Sequence, residues 1–108
     1  MTVGITHLVD LSRKILSTDS GEREEAAENV SDWAQLFERR EADLIVRLLA
    51  TIASVEPEPR NREAQLHAIL EIESYIEIDR VGLYPLARLD PKDLDSQQME
   101  YLRDLGIV

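Results

Sequence analysis

The sequence predicts an all-α domain of about five to six helices, and three observations carry that prediction. Apolar residues recur at three- and four-residue intervals through most of the chain. The stretch 41–55 is apolar around most of a helical circumference, so it needs neighbours on more than one side. Two stretches also repeat their apolar spacing at an offset of 39 residues, as stacked helix pairs do. With 108 residues the chain reads as one domain, 1–108, large enough for a real core.

The first helix is expected over 5–17, where Ile5, Leu8, Val9, Ser12, Ile15 and Leu16 keep helical spacing. Ser17-Thr18-Asp19-Ser20-Gly21 breaks it. Asp19, with Glu22 three residues on, has the form of a capping box for the next helix. That second helix carries Ala26, Val30, Trp33 and Phe37 on one face, widened by Ala27 and Ala34. Its carboxylates Glu22, Glu24, Glu25 and Glu28 suit the positive end of the helix dipole. Glu38-Arg39-Arg40-Glu41 contains no Gly or Pro, and the apolar stripe continues in phase to Leu44 and Leu48. One helix over 22–55 would exceed the roughly 25 residues expected of a single globular helix. A tight turn is therefore expected at 38–40, with a kinked continuous helix as the alternative.

The third helix presents Leu44, Ile45, Leu48, Leu49, Ile52, Ala53 and Val55 to its neighbours and a narrow polar stripe of Asp43, Arg47 and Ser54 to solvent. Glu56-Pro57-Glu58-Pro59 ends it, because each proline disfavours helix in the residue before it and lacks a donor. Pro59 suits the first turn of a fourth helix carrying Leu66, Ile69, Leu70, Ile72 and Ile76. Its end is expected near 79–81, with Gly82 as a left-handed cap. Leu83, Leu86 and Leu89 predict a short helical turn, which Asp90-Pro91 interrupts. Asp95 or Ser96 then caps a last helix with Met99, Leu102 and Leu105, stopped by Gly106.

Charge narrows the function. The chain has 22 acidic and 12 basic residues, a formal net charge of −10. Phosphate backbones and anionic membrane faces repel such a surface, so neither direct nucleic-acid binding nor membrane association is expected. Solubility alone accounts for acidity in many proteins; the functional reading is a basic partner. Without cysteine there is no disulfide and no thiolate metal site. No apolar run approaches the roughly 18 residues that span a bilayer, and the N-terminal stretch lacks the pattern of a signal peptide. A soluble cytoplasmic protein is the expectation. No nucleophile–base set or Gly-rich phosphate loop stands out, so the chain reads as a non-enzyme without cofactor or metal.

Two clusters compete as sites. Glu63, His67 and Glu71 share one side of the fourth helix and have the residue types of a divalent-metal site. Metal sites usually draw ligands from more than one element, and no second cluster accompanies these three. The stretch 71–79 places Glu71, Glu73, Tyr75, Glu77 and Asp79 where the helix dipole disfavours negative charge. Local helix stability does not explain them, and carboxylates beside a tyrosine suit Lys and Arg on a partner. Glu28 and Asp32 of the second helix join them as candidate partner-binding residues. Trp33 reads as core by spacing, Tyr84 as loop, and His7 as a partly exposed structural residue.

The 39-residue offset lays Arg23-Glu24 on Arg62-Glu63, Val30 on Ile69, Trp33 on Ile72, Leu36 on Tyr75 and Phe37 on Ile76. It also lays Ile5 on Leu44 and Val9 on Leu48. A pair of antiparallel helices repeating at this period lies near the HEAT and armadillo range, and such pairs stack with their second helices lining one surface. The paired order, the body LIVRLLATIASVE followed by AQLHAILEIESYIE, and the closing Leu86, Leu89-Asp90, Leu94, Gln98, Glu100-Tyr101-Leu102 and Leu105 resemble small HEAT-like bacterial immunity proteins of polymorphic, contact-dependent toxin systems. The resemblance covers about residues 22–105. It implies a short HEAT-like α-solenoid that binds a cognate toxin and blocks it, and it brings no catalytic residues. The expected partner is a basic toxin domain, such as a nuclease. The alternative is a HEAT-like adaptor or scaffold without a toxin partner.

Overall fold

A computed structural model describes residues 2–108, which form five α-helices and three short 3-10 segments. Helix α1 covers Ile5–Ile15, α2 Ser20–Trp33, α3 Arg39–Ala53, α4 Pro59–Glu73 and α5 Ser96–Asp104. The 3-10 segments are Ala34–Leu36, Arg80–Arg88 and Pro91–Asp93. The described residues contain no strand and no helix long and apolar enough to cross a membrane.

The chain does break between α2 and α3, a few residues earlier than expected. Residues Ala34–Leu36 tighten into a 3-10 turn, and Phe37 (φ −70°, ψ 135°) and Glu38 (φ −73°, ψ 160°) are extended. No Gly or Pro is needed. The buried Phe37 ring enters the core, and the Glu41 carboxylate accepts the Glu38 N–H at 2.9 Å, fixing the start of α3. Asp19 caps α2 by accepting from the Glu22 amide at 3.1 Å. Glu22 does not complete the box, because its carboxylate takes the Ser17 hydroxyl at 2.6 Å. Asp95 caps α5 through the Gln98 amide at 2.8 Å.

Two expected ends are corrected. Helix α4 stops at Glu73 rather than near 79–81, and the Ser74 hydroxyl closes its last turn on the Glu71 carbonyl at 2.6 Å. Carboxylates crowding the negative end of the dipole give no reason to continue. Gly82 is not a left-handed cap: only Gly4 and Gly106 have positive φ among the described residues. Gly82 is small for a different reason, since a Cβ there would sit 2.8 Å from the Arg47 Cγ.

Helix α3 has the neighbours its composition demands: α1, α4 and the Arg80–Arg88 segment. Ala42, Ile45, Val46, Leu49, Ala50 and Ala53 are its buried apolar residues, and the small ones let the neighbouring backbones approach. Helix α2 packs on α1 and α4, and α5 packs on α4. The expected core of α1 is only partly right. Leu11 and Ile15 are buried and Leu8 half-buried, whereas Ile5 and Val9 stay 73% and 60% exposed and Leu16 is also exposed. Leu44 of α3 and Val55, two residues past its end, are exposed as well.

A buried polar seam ties the turns together. The Arg23 guanidinium grips both oxygens of Glu56 at 2.8 and 2.9 Å and donates to the Ser17 carbonyl at 3.0 Å. Gln65 donates to the same carboxylate at 2.8 Å. Arg62 reaches the Glu56 carbonyl at 3.1 Å and the Asp93 carbonyl at 3.0 Å, and Gln98 donates to the Pro59 carbonyl at 3.0 Å. At the other end, Glu41 accepts from the Thr2 hydroxyl and the Val3 amide and so pins the N-terminal segment to α3. The body measures 38 × 30 × 20 Å.

Candidate protein-binding site

Because α4 stops at Glu73, the chain leaves it as an open loop before turning back along α3. Residues 73–78 and Arg80 line a cleft of about 500 Å³ there. Glu73, Tyr75 and Glu77 are among its walls, with Ile76 and Ile78 beneath. Tyr75 is 59% exposed, a large amphipathic ring presented to water. The Glu73 Oε2 lies 3.5 Å from Arg80 Nη1, beyond a normal hydrogen bond, and finds no other partner. Arg80 is drawn off by its hydrogen bond to the Leu105 carbonyl. Glu77 is exposed and forms no ion pair among the described residues.

Asp79 lies apart from these residues in role. Its carboxylate accepts from the Val81 amide at 3.1 Å, capping the 3-10 segment, and pairs with Arg47 of α3 at 3.0 Å. Its own amide donates to Asp43 at 2.9 Å. Asp79 thus fastens the returning chain to α3 and is not part of the cleft lining.

Glu71, Glu28 and Asp32 belong to a neighbouring face. The Ser31 hydroxyl on α2 meets His67 Nδ1 on α4 at 3.4 Å, and His67 Nε2 meets Glu71 at 3.3 Å. Glu28 and Asp32 are exposed on the same turns of α2 as Ser31. Helix α5 extends this face, with the Tyr101 ring centroid 6.0 Å from His67. Burial raises the Tyr101 pKa most, and the charges of Glu63, Glu100, Asp95 and Glu71 raise it further. Sequence spacing placed Tyr101 in the last helix but gave no signal that α5 would carry its carboxylates to α4.

Ser31, His67 and Glu71 follow the order of a catalytic triad, but the arrangement is poor for nucleophilic chemistry. The Ser–His contact is at the long limit of a hydrogen bond, and both His67 and Glu71 are substantially solvated. Glu63 and Glu71 do not close on His67 as ligands, and no group of three His, Asp or Glu among the described residues is placed to hold a metal ion. What the surface can do is meet cations: a concave, tyrosine-bearing acidic mouth at the end of α4, continued by carboxylates along α2, α4 and α5.

Trp33 is half-buried at the end of α2, with the His7 ring edge-on at 5.5 Å. Tyr84 and Val81 are exposed one 3-10 turn apart on the Arg80–Arg88 segment. Comparison with protein-family models, with curated proteins and with solved structures finds no match to this chain.

Proposed function

We propose that this protein is an immunity protein that neutralises a basic toxin domain by binding it through the acidic end of α4. It is not an enzyme. The observation that carries the proposal is the cleft at 73–80, where exposed Glu77 enters no ion pair among the described residues and Glu73 has only its long 3.5 Å contact to Arg80, beside an exposed tyrosine. Arg or Lys of a partner entering there gains charge-assisted hydrogen bonds from these carboxylates. Tyr75 supplies the aromatic anchor that interfaces favour. The net charge of −10 steers a cationic domain towards this end and accelerates its association.

The architecture behind this proposal is a short HEAT-like stack of antiparallel helix pairs, α1 with α2 and α3 with α4. Contacts Lys14–Glu25, Ser17–Glu22 and His7–Trp33 support the opposite course of α1 and α2. Contacts Asn61–Ser20 and His67–Ser31 support a common direction for α2 and α4, the two second helices. The strongest support is a pair of equivalent hydrogen bonds. Arg23 donates to the carbonyl of Ser17 and Arg62 to that of Glu56, each six residues back and 39 residues apart in the chain.

Co-expression with the protein encoded beside this one tests the function. The expected result is a one-to-one complex with a basic domain, and relief of that domain's toxicity. A neighbour that is neither toxic nor bound would overturn the proposal.

A further inference from the structure

The exposed apolar residues of α1 and α3 form one surface on the side away from α2 and α4. On α1, Ile5, Val9 and Leu16 stand at helical spacing around the half-buried Ser12. On α3, Leu44 is exposed and Leu48 and Ile52 half-buried, again along one stripe, with exposed Val55 two residues past the helix end. The two helices lie side by side in the same direction. Thr2 and Val3 bond Glu41 at their starts, while Ser17, Thr18, Ile52 and Val55 line one cleft at their ends. The stripes therefore flank a shared apolar groove about 20 Å long, from Arg40 to Ala53 at the helical rise.

The two ends of this groove carry opposite charge. At the start of α3, Arg39 and Arg40 are exposed and neither enters an ion pair among the described residues. At the far end stand exposed Asp19 and Glu58, and the Glu58 side chain caps nothing. Arg39 and Arg40 at one end and Asp19 and Glu58 at the other, with the apolar stripes between them, complement each other under a two-fold axis. The carboxylates of α2 and α4 lie on the opposite layer, so two copies of this acidic chain repel each other least here.

We propose that this groove binds a second copy of the chain, with α1 and α3 of one protomer crossing those of the other and Arg39 and Arg40 meeting Asp19 and Glu58 across the axis. The acidic clefts then face outward, one on each protomer.

Sedimentation velocity over a concentration series tests this. The wild-type chain should move from its 12.3 kDa monomer mass towards twice that mass as concentration rises. Val9→Glu and Leu44→Glu should each shift the midpoint by about tenfold or more, with circular dichroism confirming the fold. Should either variant unfold, the exposed pair decides: Arg40→Glu and Glu58→Arg should each weaken pairing, and the double exchange should restore it. A wild-type chain that stays monomeric to about 1 mM overturns the proposal. So does pairing that is indifferent to all four substitutions. Binding of monomers to phosphatidylserine vesicles with no pairing would assign the face to a membrane instead and equally overturn it.

Discussion

Replacing Glu56 with Gln removes one charge from the buried seam while nearly conserving volume. The Glu56 side chain is 0% exposed, and its Arg23 partner is 11% exposed. Four donors converge on the carboxylate: Arg23 Nε at 2.8 Å, Arg23 Nη2 at 2.9 Å, Gln65 Nε2 at 2.8 Å and the Glu58 amide at 3.2 Å. An amide offers one acceptor oxygen and turns its NH2 towards donors, so at least one arm is left unpaired. The Arg23 charge loses its counter-ion in a place water scarcely reaches. Breaking one side of a buried pair costs about 3–5 kcal/mol, a large share of the roughly 5–15 kcal/mol that holds a domain folded. The variant should fold and melt roughly 12–25 °C lower, at about 4–5 °C per kcal/mol for this length. Thermal and urea unfolding, followed by circular dichroism and Trp33 fluorescence, measure it. The pH dependence gives a second readout. Burial opposes the Glu56 charge most, but hydrogen bonds from Arg23, Gln65 and the Glu58 amide, with the Arg23 charge, hold its pKa below the ordinary 4.5. A lowered folded pKa contributes stability that is present above 4.5 and lost as pH falls through the folded value. The gap between wild type and Glu56→Gln should therefore narrow below that pH. A melting temperature within about 3 °C of wild type at pH 7 would refute the assignment, as would a gap unchanged down to pH 3.

Three further substitutions probe the frame. Glu41→Ala removes the acceptor for Thr2, Val3 and Glu38, and should cost about 2 kcal/mol. It should also speed hydrogen exchange at the Val3 and Glu38 amides while the α4 core stays protected. Gly106→Ala forces a side chain onto φ +76° and sets its Cβ 2.9 Å from Arg80 Nη2, so a loss of about 1–2 kcal/mol is expected in urea unfolding. Gly21→Ala, in ordinary helical backbone with its nearest atom at 3.5 Å, should instead raise stability by about 0.5 kcal/mol; a loss there would contradict the described start of α2.

The helical class and most helix starts were legible because they rest on local chemistry: Asp19, Pro59 and Asp95 act within one turn of themselves. The inward face of α1 was not. Its residues form two apolar stripes, Ile5–Val9–Leu16 and Leu8–Leu11–Ile15, and spacing does not say which one the neighbours cover. Glu41 and Glu56 were hidden for a similar reason. Their partners Thr2 and Arg23 lie 39 and 33 residues away, and charged residues in an acidic chain look like solvated surface. At the candidate site, the stretch 71–79 drew attention through its expected conflict with the helix dipole, but only Glu71 and Glu73 lie in α4. The division of the stretch was not legible, because it depends on α4 stopping at Glu73. Only then do Glu73, Tyr75 and Glu77 line a cleft while Asp79 turns to cap the next segment and hold Arg47.

The central claim is that the acidic mouth at 73–80 binds a basic partner, and the charge-reversed double variant Glu73→Lys, Glu77→Lys measures it most directly. Calorimetric titration of the co-purified basic domain, repeated across a salt series, should give at least tenfold weaker binding for the variant and a shallower dependence on salt. Equal affinity and an equal salt slope in a variant that melts like the wild type would contradict the account and move the interface away from the end of α4.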